Sequence, residues 1–111
     1  MTVAELLAGV GLRQPISPEL ALKTVKGLDY DSRRAGEGFL FFAFPGSRTD
    51  GRRFASDALG RGAVAVASQD EAPDGLAGKW IEVEHGRQAL ALAAGNFYGH
   101  PDERIRVRFE R

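Results

Sequence analysis

The sequence contains no cysteine, one methionine, one tryptophan and two histidines among its 111 residues. Without cysteine there is no disulfide framework, no thiolate nucleophile and no sulfur-ligated zinc. His85 and His100 stand apart in the chain, so no metal-ligating set is expected. Neither sign of charge is in excess: 15 basic and 15 acidic residues give a formal net charge of +0. A general nucleic-acid binder is strongly basic, and that class is set aside. No apolar run approaches the ~20 residues that span a bilayer. The N-terminus also lacks the basic start and apolar stretch of a secretion signal. These absences point to a cytoplasmic domain that binds neither nucleic acid nor membrane.

What remains is ordinary for a globular fold, with 43% apolar and 27% charged residues in a length that suits one domain. One feature is out of proportion. Glycine occurs 14 times, about 13% of the chain against a usual ~7%.

Read along the chain, Thr2-Val3-Ala4-Glu5 has the spacing of a capping box. Val3, Leu6, Leu7 and Val10 continue it as an amphipathic stripe, so a helix is predicted over 3–9, ended by Gly9 and Gly11. Residues 12–22 carry Pro15 and Pro18 and read as a loop with a turn of helix after Ser17. Residues 24–31 read as a strand. The run Gly38-Phe39-Leu40-Phe41-Phe42-Ala43-Phe44 suits a strand buried on both faces. A helix is predicted over 52–61, with Phe54, Ala55, Ala58 and Leu59 inward. Ala63–Ala67 and Trp80–Val83 read as further strands, the latter a core strand or, given Glu82 and Glu84, an edge strand. A helix follows over 86–98, with Leu90, Leu92, Ala93 and Phe97 inward and Gly99-His100-Pro101 as its stop. Trp80 and the phenylalanines are assigned to the core. Strands alternating with helices predict an α/β fold, a mixed or mostly parallel sheet flanked by helices. The domain is expected to occupy 1–103. Residues 104–109 alternate as a last strand with no helix to cover it, so 104–111 reads as a linker or the first strand of a further domain.

The glycines concentrate meaning at one place. Gly46-Ser47-Arg48-Thr49-Asp50-Gly51 follows the phenylalanine strand and opens a helix, the arrangement in which backbone N–H groups and a helix dipole face an anion. It matches the first half of a phosphate loop, but Arg52-Arg53 stand where the Lys-[Ser/Thr] pair belongs. The loop therefore places no hydroxyl for Mg²⁺. From Arg33 to Arg61 six arginines face only Glu37, Asp50 and Asp57, and guanidinium groups suit phosphate. On the residues alone two readings stand: an anion cradle, or a tight turn beside a solvated arginine face. Tyr30-Asp31-Ser32-Arg33 ends the preceding strand. There too two readings stand, a ligand contact through Tyr30, Ser32 and Arg33 or an Asx-type turn built by Asp31 and Ser32. Asp50 is expected to cap the helix, and His85 to cap or hydrogen-bond beside Glu84. No nucleophile with its base can be assembled, so no catalytic residue is assigned.

These segments, together with Asp50-Gly51-Arg52-Arg53-Phe54, Arg61-Gly62-Ala63 and Asn96-Phe97-Tyr98-Gly99-His100-Pro101, resemble the N-terminal domain of the Mur ligases, over about Gly27 to Val107. Within that family the likeness is greatest to the branch that adds the third amino acid to UDP-MurNAc-L-Ala-D-Glu, and next to the branch that adds D-Ala-D-Ala to the UDP-MurNAc-tripeptide. The resemblance implies a domain binding the uridine diphosphate end of the UDP-MurNAc-dipeptide. Tyr30 and Ser32 would contact the uridine, and Ser47, Arg48 and Thr49 the nucleotide. It also implies central and C-terminal ligase domains as partners, with ATP and Mg²⁺ as cofactors of the full-length enzyme and none in this chain. The family's Thr-Gly-Thr-Asn-Gly-Lys-Thr loop is expected just after Val107, where Arg108-Phe109-Glu110-Arg111 stands instead. Beside this, a non-catalytic interaction module remains a rival reading, and a free-standing small enzyme a weaker one.

Overall fold

The computed structural model describes residues 1–31, 34–43, 51–73 and 75–98, with the backbone alone for 51–53. Four short strands, β1 (Gly27–Asp29), β2 (Phe39–Ala43), β3 (Ala65–Ser68) and β4 (Trp80–Glu82), lie side by side in chain order. Every neighbouring pair is parallel, with Gly27 opposite Phe39, Leu40 opposite Ala65 and Val66 opposite Trp80. Among the described residues the sheet is thus wholly parallel. Isolated antiparallel bridges join Thr2 to Thr24 and Leu12 to Val83.

Side chains alternate across a strand, and this alternation builds two cores. Leu40, Phe42, Ala65, Ala67 and Ile81 turn to one face and pack with Val3, Leu6, Leu20, Ala89 and Ala93. Those partners come from three helices, α1 (Val3–Leu6), α2 (Pro18–Ala21) and α4 (Gly86–Tyr98). Phe41, Ala43 and Val66 turn to the other face, against Ala55 and Ala58 of α3 (Gly51–Gly60). β2 is therefore covered on both sides, as its continuous apolar run predicts.

The local chemistry explains the shorter elements. Thr2 Oγ1 accepts from the Glu5 amide at 3.1 Å while Glu5 Oε1 accepts from the Thr2 amide at 2.9 Å, the reciprocal capping box. α1 nevertheless stops at Leu6, short of the expected residue 9, because the chain turns through Leu7 and Gly9 takes φ +86°. α2 is the turn of helix expected after Ser17, whose Oγ accepts from the Leu20 amide at 3.2 Å. The strand expected over 24–31 contracts to Gly27–Asp29, since the Val25 amide is taken by the Met1 carbonyl at 2.8 Å. β4 is an edge strand, and the segment 11–13 covers part of that edge. The Arg13 amide donates to the Glu82 carbonyl, and the Glu84 amide to the Gly11 carbonyl, both at 2.9 Å. Such cover blunts a row of open backbone groups that would otherwise template further pairing.

Two side chains assigned to the core lie elsewhere: Phe54 is 42% and Leu92 40% exposed, while Trp80 is half-buried. In both long helices the sheet-facing places are held by alanines, Ala55 and Ala58 in α3 and Ala89 and Ala93 in α4. Small residues bring a helix close to the sheet, and that closeness leaves no room for a second large side chain. Leu90 and Phe97 do pack against the first core, and Leu59 and Trp80 against the second. Gly62 permits a further close approach: at φ +102°, its carbonyl accepts from the Gly38 amide at 2.9 Å. A Cβ there would stand 2.9 Å from the Glu37 Cα.

The expected strand over 104–109, the helix stop at 99–101 and the division at residue 103 lie outside the described residues. Among the described residues no helix is long and apolar enough to cross a membrane.

Candidate functional site

In an open parallel sheet, ligands bind outside the carboxyl ends of the strands, where connections depart and helices begin. Asp29 and Ala43 close β1 and β2 at that edge, Ser68 and Glu82 close β3 and β4, and α3 begins at Gly51 after the segment that leaves β2. Asp29 lies opposite Phe41 in the adjacent strand, so the end of β1 sits about one strand spacing, ~4.8 Å, from β2.

The turn leaving β1 is built by Asp29. Its Oδ1 accepts from the amides of Tyr30 at 2.8 Å and Asp31 at 3.0 Å. Asp29 thus makes an Asx turn here, while the alternative of a turn built by Asp31 and Ser32 involves Ser32, which lies outside the described residues. Arg34 closes over the same carboxylate, Nε to Oδ2 at 3.3 Å and Nη2 to Oδ1 at 3.4 Å. The Asp31 carbonyl then accepts from the amides of Arg34 and Ala35 at 2.9 and 3.1 Å. Held at its base this way, Tyr30 is 58% exposed. An amphipathic ring presented from a fixed turn offers a flat apolar face and a phenol to a ligand.

Tyr30 is the one predicted site residue whose surroundings are described. Ser32, Ser47, Arg48 and Thr49, with Arg33, Gly46 and the proposed cap Asp50, lie outside the described residues. Two of the six arginines counted toward the local positive charge are engaged by carboxylates. Arg34 pairs with Asp29, and Arg61 with Asp57 at 3.4 Å.

Further along the same edge, Gln69 organises the start of α4. Its Oε1 accepts from the Gly86 amide at 2.7 Å, and its carbonyl accepts from Arg13 Nη1 at 3.0 Å. Capping at this helix therefore comes from Gln69, with the His85 carbonyl accepting from the Ala89 amide at 2.8 Å. Ser68, fully buried, has its Oγ occupied by the Asp70 amide at 3.0 Å. Sequence reading passed over Asp29, Arg34 and Gln69. Asp29 at a strand end was a legible signal, while Gln69 meets Gly86 only through the fold.

Among the described residues no group of three histidine, cysteine or acidic side chains comes together as a metal site.

Comparison with known proteins agrees with the architecture. The model described as "Mur ligase family, catalytic domain" matches residues 24–98. The UDP-N-acetylmuramoyl-L-alanyl-D-glutamate–2,6-diaminopimelate ligase of Solibacter usitatus is 62% identical over 105 residues, covering 95% of this chain and 21% of that protein. The UDP-N-acetylmuramyl-tripeptide synthetase of Roseiflexus sp. is 44% identical over 94 residues, 84% of this chain and 18% of that protein. Among solved structures, crystal structure II of MurF from Acinetobacter baumannii superposes with a TM-score of 0.65 at 20% identity, over 91% of this chain and 21% of that one. This last likeness is one of fold. The chain spans about a fifth of the length of the curated relatives it matches. On the extent of the family match and the identity to these relatives, the chain belongs to the Mur ligase family.

Proposed function

We propose that this chain holds the uridine diphosphate end of UDP-MurNAc-L-Ala-D-Glu within a peptidoglycan-precursor ligase that adds the third amino acid of the peptide. The observation that carries this reading is Tyr30, an exposed ring on a carboxylate-anchored turn at the carboxyl edge of a parallel sheet. The Tyr30 ring and the Ser32 hydroxyl meet the uridine. Ser47, Arg48 and Thr49 meet the nucleotide from the glycine loop, where backbone amides and guanidinium groups suit its phosphates. Support comes from the names and identity of the relatives, which include several diaminopimelate ligases. The branch that adds D-Ala-D-Ala shares the fold, and both branches would use the same crevice for the same nucleotide.

The contribution of these residues is positional. Binding energy from a remote, unreacting nucleotide is spent on orienting the dipeptide carboxylate for chemistry elsewhere. ATP and Mg²⁺ serve that chemistry in parts of the ligase outside this chain, and the work takes place in the cytoplasm. The test is thermal unfolding with UDP: ligand at 100 times its Kd adds about 2.7 kcal/mol of stability. An unchanged melting temperature at millimolar UDP supports an interaction module instead.

A further inference from the structure

A helix on the surface of a globular protein shows one apolar and one polar face. α3 follows that rule over its described side chains, with Ala55 and Ala58 buried and Ser56 and Asp57 exposed. α4 does not. In its thirteen residues the one charged side chain is Arg87, at its first turn. Its inner face is filled by Ala89 and Ala93, with Leu90 and Phe97 packed beside them. The outer positions at helical spacing are Gln88, Ala91, Leu92, Gly95 and Tyr98. Leu92 is 40% and Tyr98 43% exposed, and Ala91, beside Leu92, is exposed as well. From Gln88 to Tyr98 this stripe runs ~15 Å at 1.5 Å per residue, with no charge along it. An exposed helix face that carries apolar side chains and no charge is suited to burial against another surface.

We propose that this outer face of α4 is the seat of the ligase domain that follows residue 98 in a full-length enzyme, an inference that rests on the reading of this chain as one part of a longer ligase. Two observations choose that occupant. The relatives are about five times as long as the stretch they share with this chain, which covers 21% of the Solibacter protein. Tyr98, the last residue of α4, also stands at one end of the stripe itself. A domain tethered there meets the face at a local concentration in the millimolar range, which favours it over a free partner. Ala91 and Gly95, one helical turn apart, let an apolar surface approach closely, while Leu92 and Tyr98 supply the buried area.

The absence of cysteine makes the test direct, since a single introduced thiol reports its own accessibility. Leu92→Cys is made in this chain alone and in this chain joined to the remainder of the Solibacter ligase, and alkylation of that position is timed by mass spectrometry. Alkylation at least tenfold slower in the joined protein is expected, with Leu22→Cys, on the 74% exposed residue after α2, labelled equally in both. Equal rates at position 92 overturn the inference. So does slowing that grows with concentration of the 111-residue chain alone, which assigns the face to a second copy. UDP binding measured on the same joined protein separates the two readings. An unprotected position 92 with UDP bound removes this inference alone, and protection without UDP binding removes the nucleotide reading alone.

Discussion

Asn96 of α4 donates its side-chain amide to the Leu6 carbonyl at 2.8 Å and to the Ala8 carbonyl at 3.0 Å, so the last helix holds the carboxyl end of the first. Helix ends leave carbonyls without intrahelical partners, and α1 is a single turn that cannot stand by itself. Replacing Asn96 with Ala strands these acceptors at a cost of about 1–3 kcal/mol. For a domain of this size that lowers the melting temperature by roughly 4–8 °C per kcal/mol. Asn96→Asp is expected to lose more, because it sets a carboxylate against two carbonyls. Thermal unfolding by circular dichroism checks the order Asn, Ala, Asp.

The alanines between the long helices and the sheet set their spacing. Ala93→Leu forces a larger side chain into a fully buried place, an overpacking that costs about 1–3 kcal/mol. Leu92→Ala, one position away on the outer face, changes stability in the isolated chain by less than about 0.5 kcal/mol. Denaturant titration of both variants reads the difference. A larger loss from Leu92→Ala than from Ala93→Leu would place the inward face of α4 where hydrophobicity alone puts it.

That contrast shows how far the sequence could be read. Phe39–Ala43 was legible as a buried strand because a continuous apolar run has no other use at that length. The starts of α1 and α2 were legible from Thr2, Glu5 and Ser17, whose caps are local chemistry. The facing of α3 and α4 was legible in part: Ala55, Ala58, Leu59, Leu90, Ala93 and Phe97 pack inward as expected, while Phe54 and Leu92 do not, since apolarity alone does not say which apolar side chain turns inward. The strand end with Tyr30 was legible as a place, and the glycine loop lies outside the described residues. The part played by Asp29 was not, because only the register of β1 sets its carboxylate beside the amides of Tyr30 and Asp31.

Two glycines of the same neighbourhood should respond in opposite directions. Gly62→Ala meets a positive φ and the Glu37 backbone, and the left-handed conformation by itself costs about 1–2 kcal/mol. Gly60, at the end of α3, has open space where a Cβ would stand. There Gly60→Ala is expected to stabilise by about 0.4–1 kcal/mol, chiefly by restricting the unfolded chain. Urea midpoints measure both.

Tyr30→Ala should weaken UDP binding while leaving the fold intact. A base stacked on an aromatic ring is worth about 1–3 kcal/mol, so Kd rises roughly five- to a hundredfold. Tyr30→Phe keeps the ring and most of the affinity. Calorimetric titration with UDP measures the affinities, and the melting temperature of each free variant should match that of the parent chain within about 2 °C, as for a surface substitution.

The most direct test of nucleotide binding is a titration of isotope-labelled chain with UDP, followed residue by residue in amide spectra. Saturable shifts at residues 30–33 and 46–53 are the predicted result, with the amides of α2 and of the Ala77–Lys79 turn unmoved. A dispersed, folded spectrum with no shifts at those two segments in millimolar UDP would contradict it.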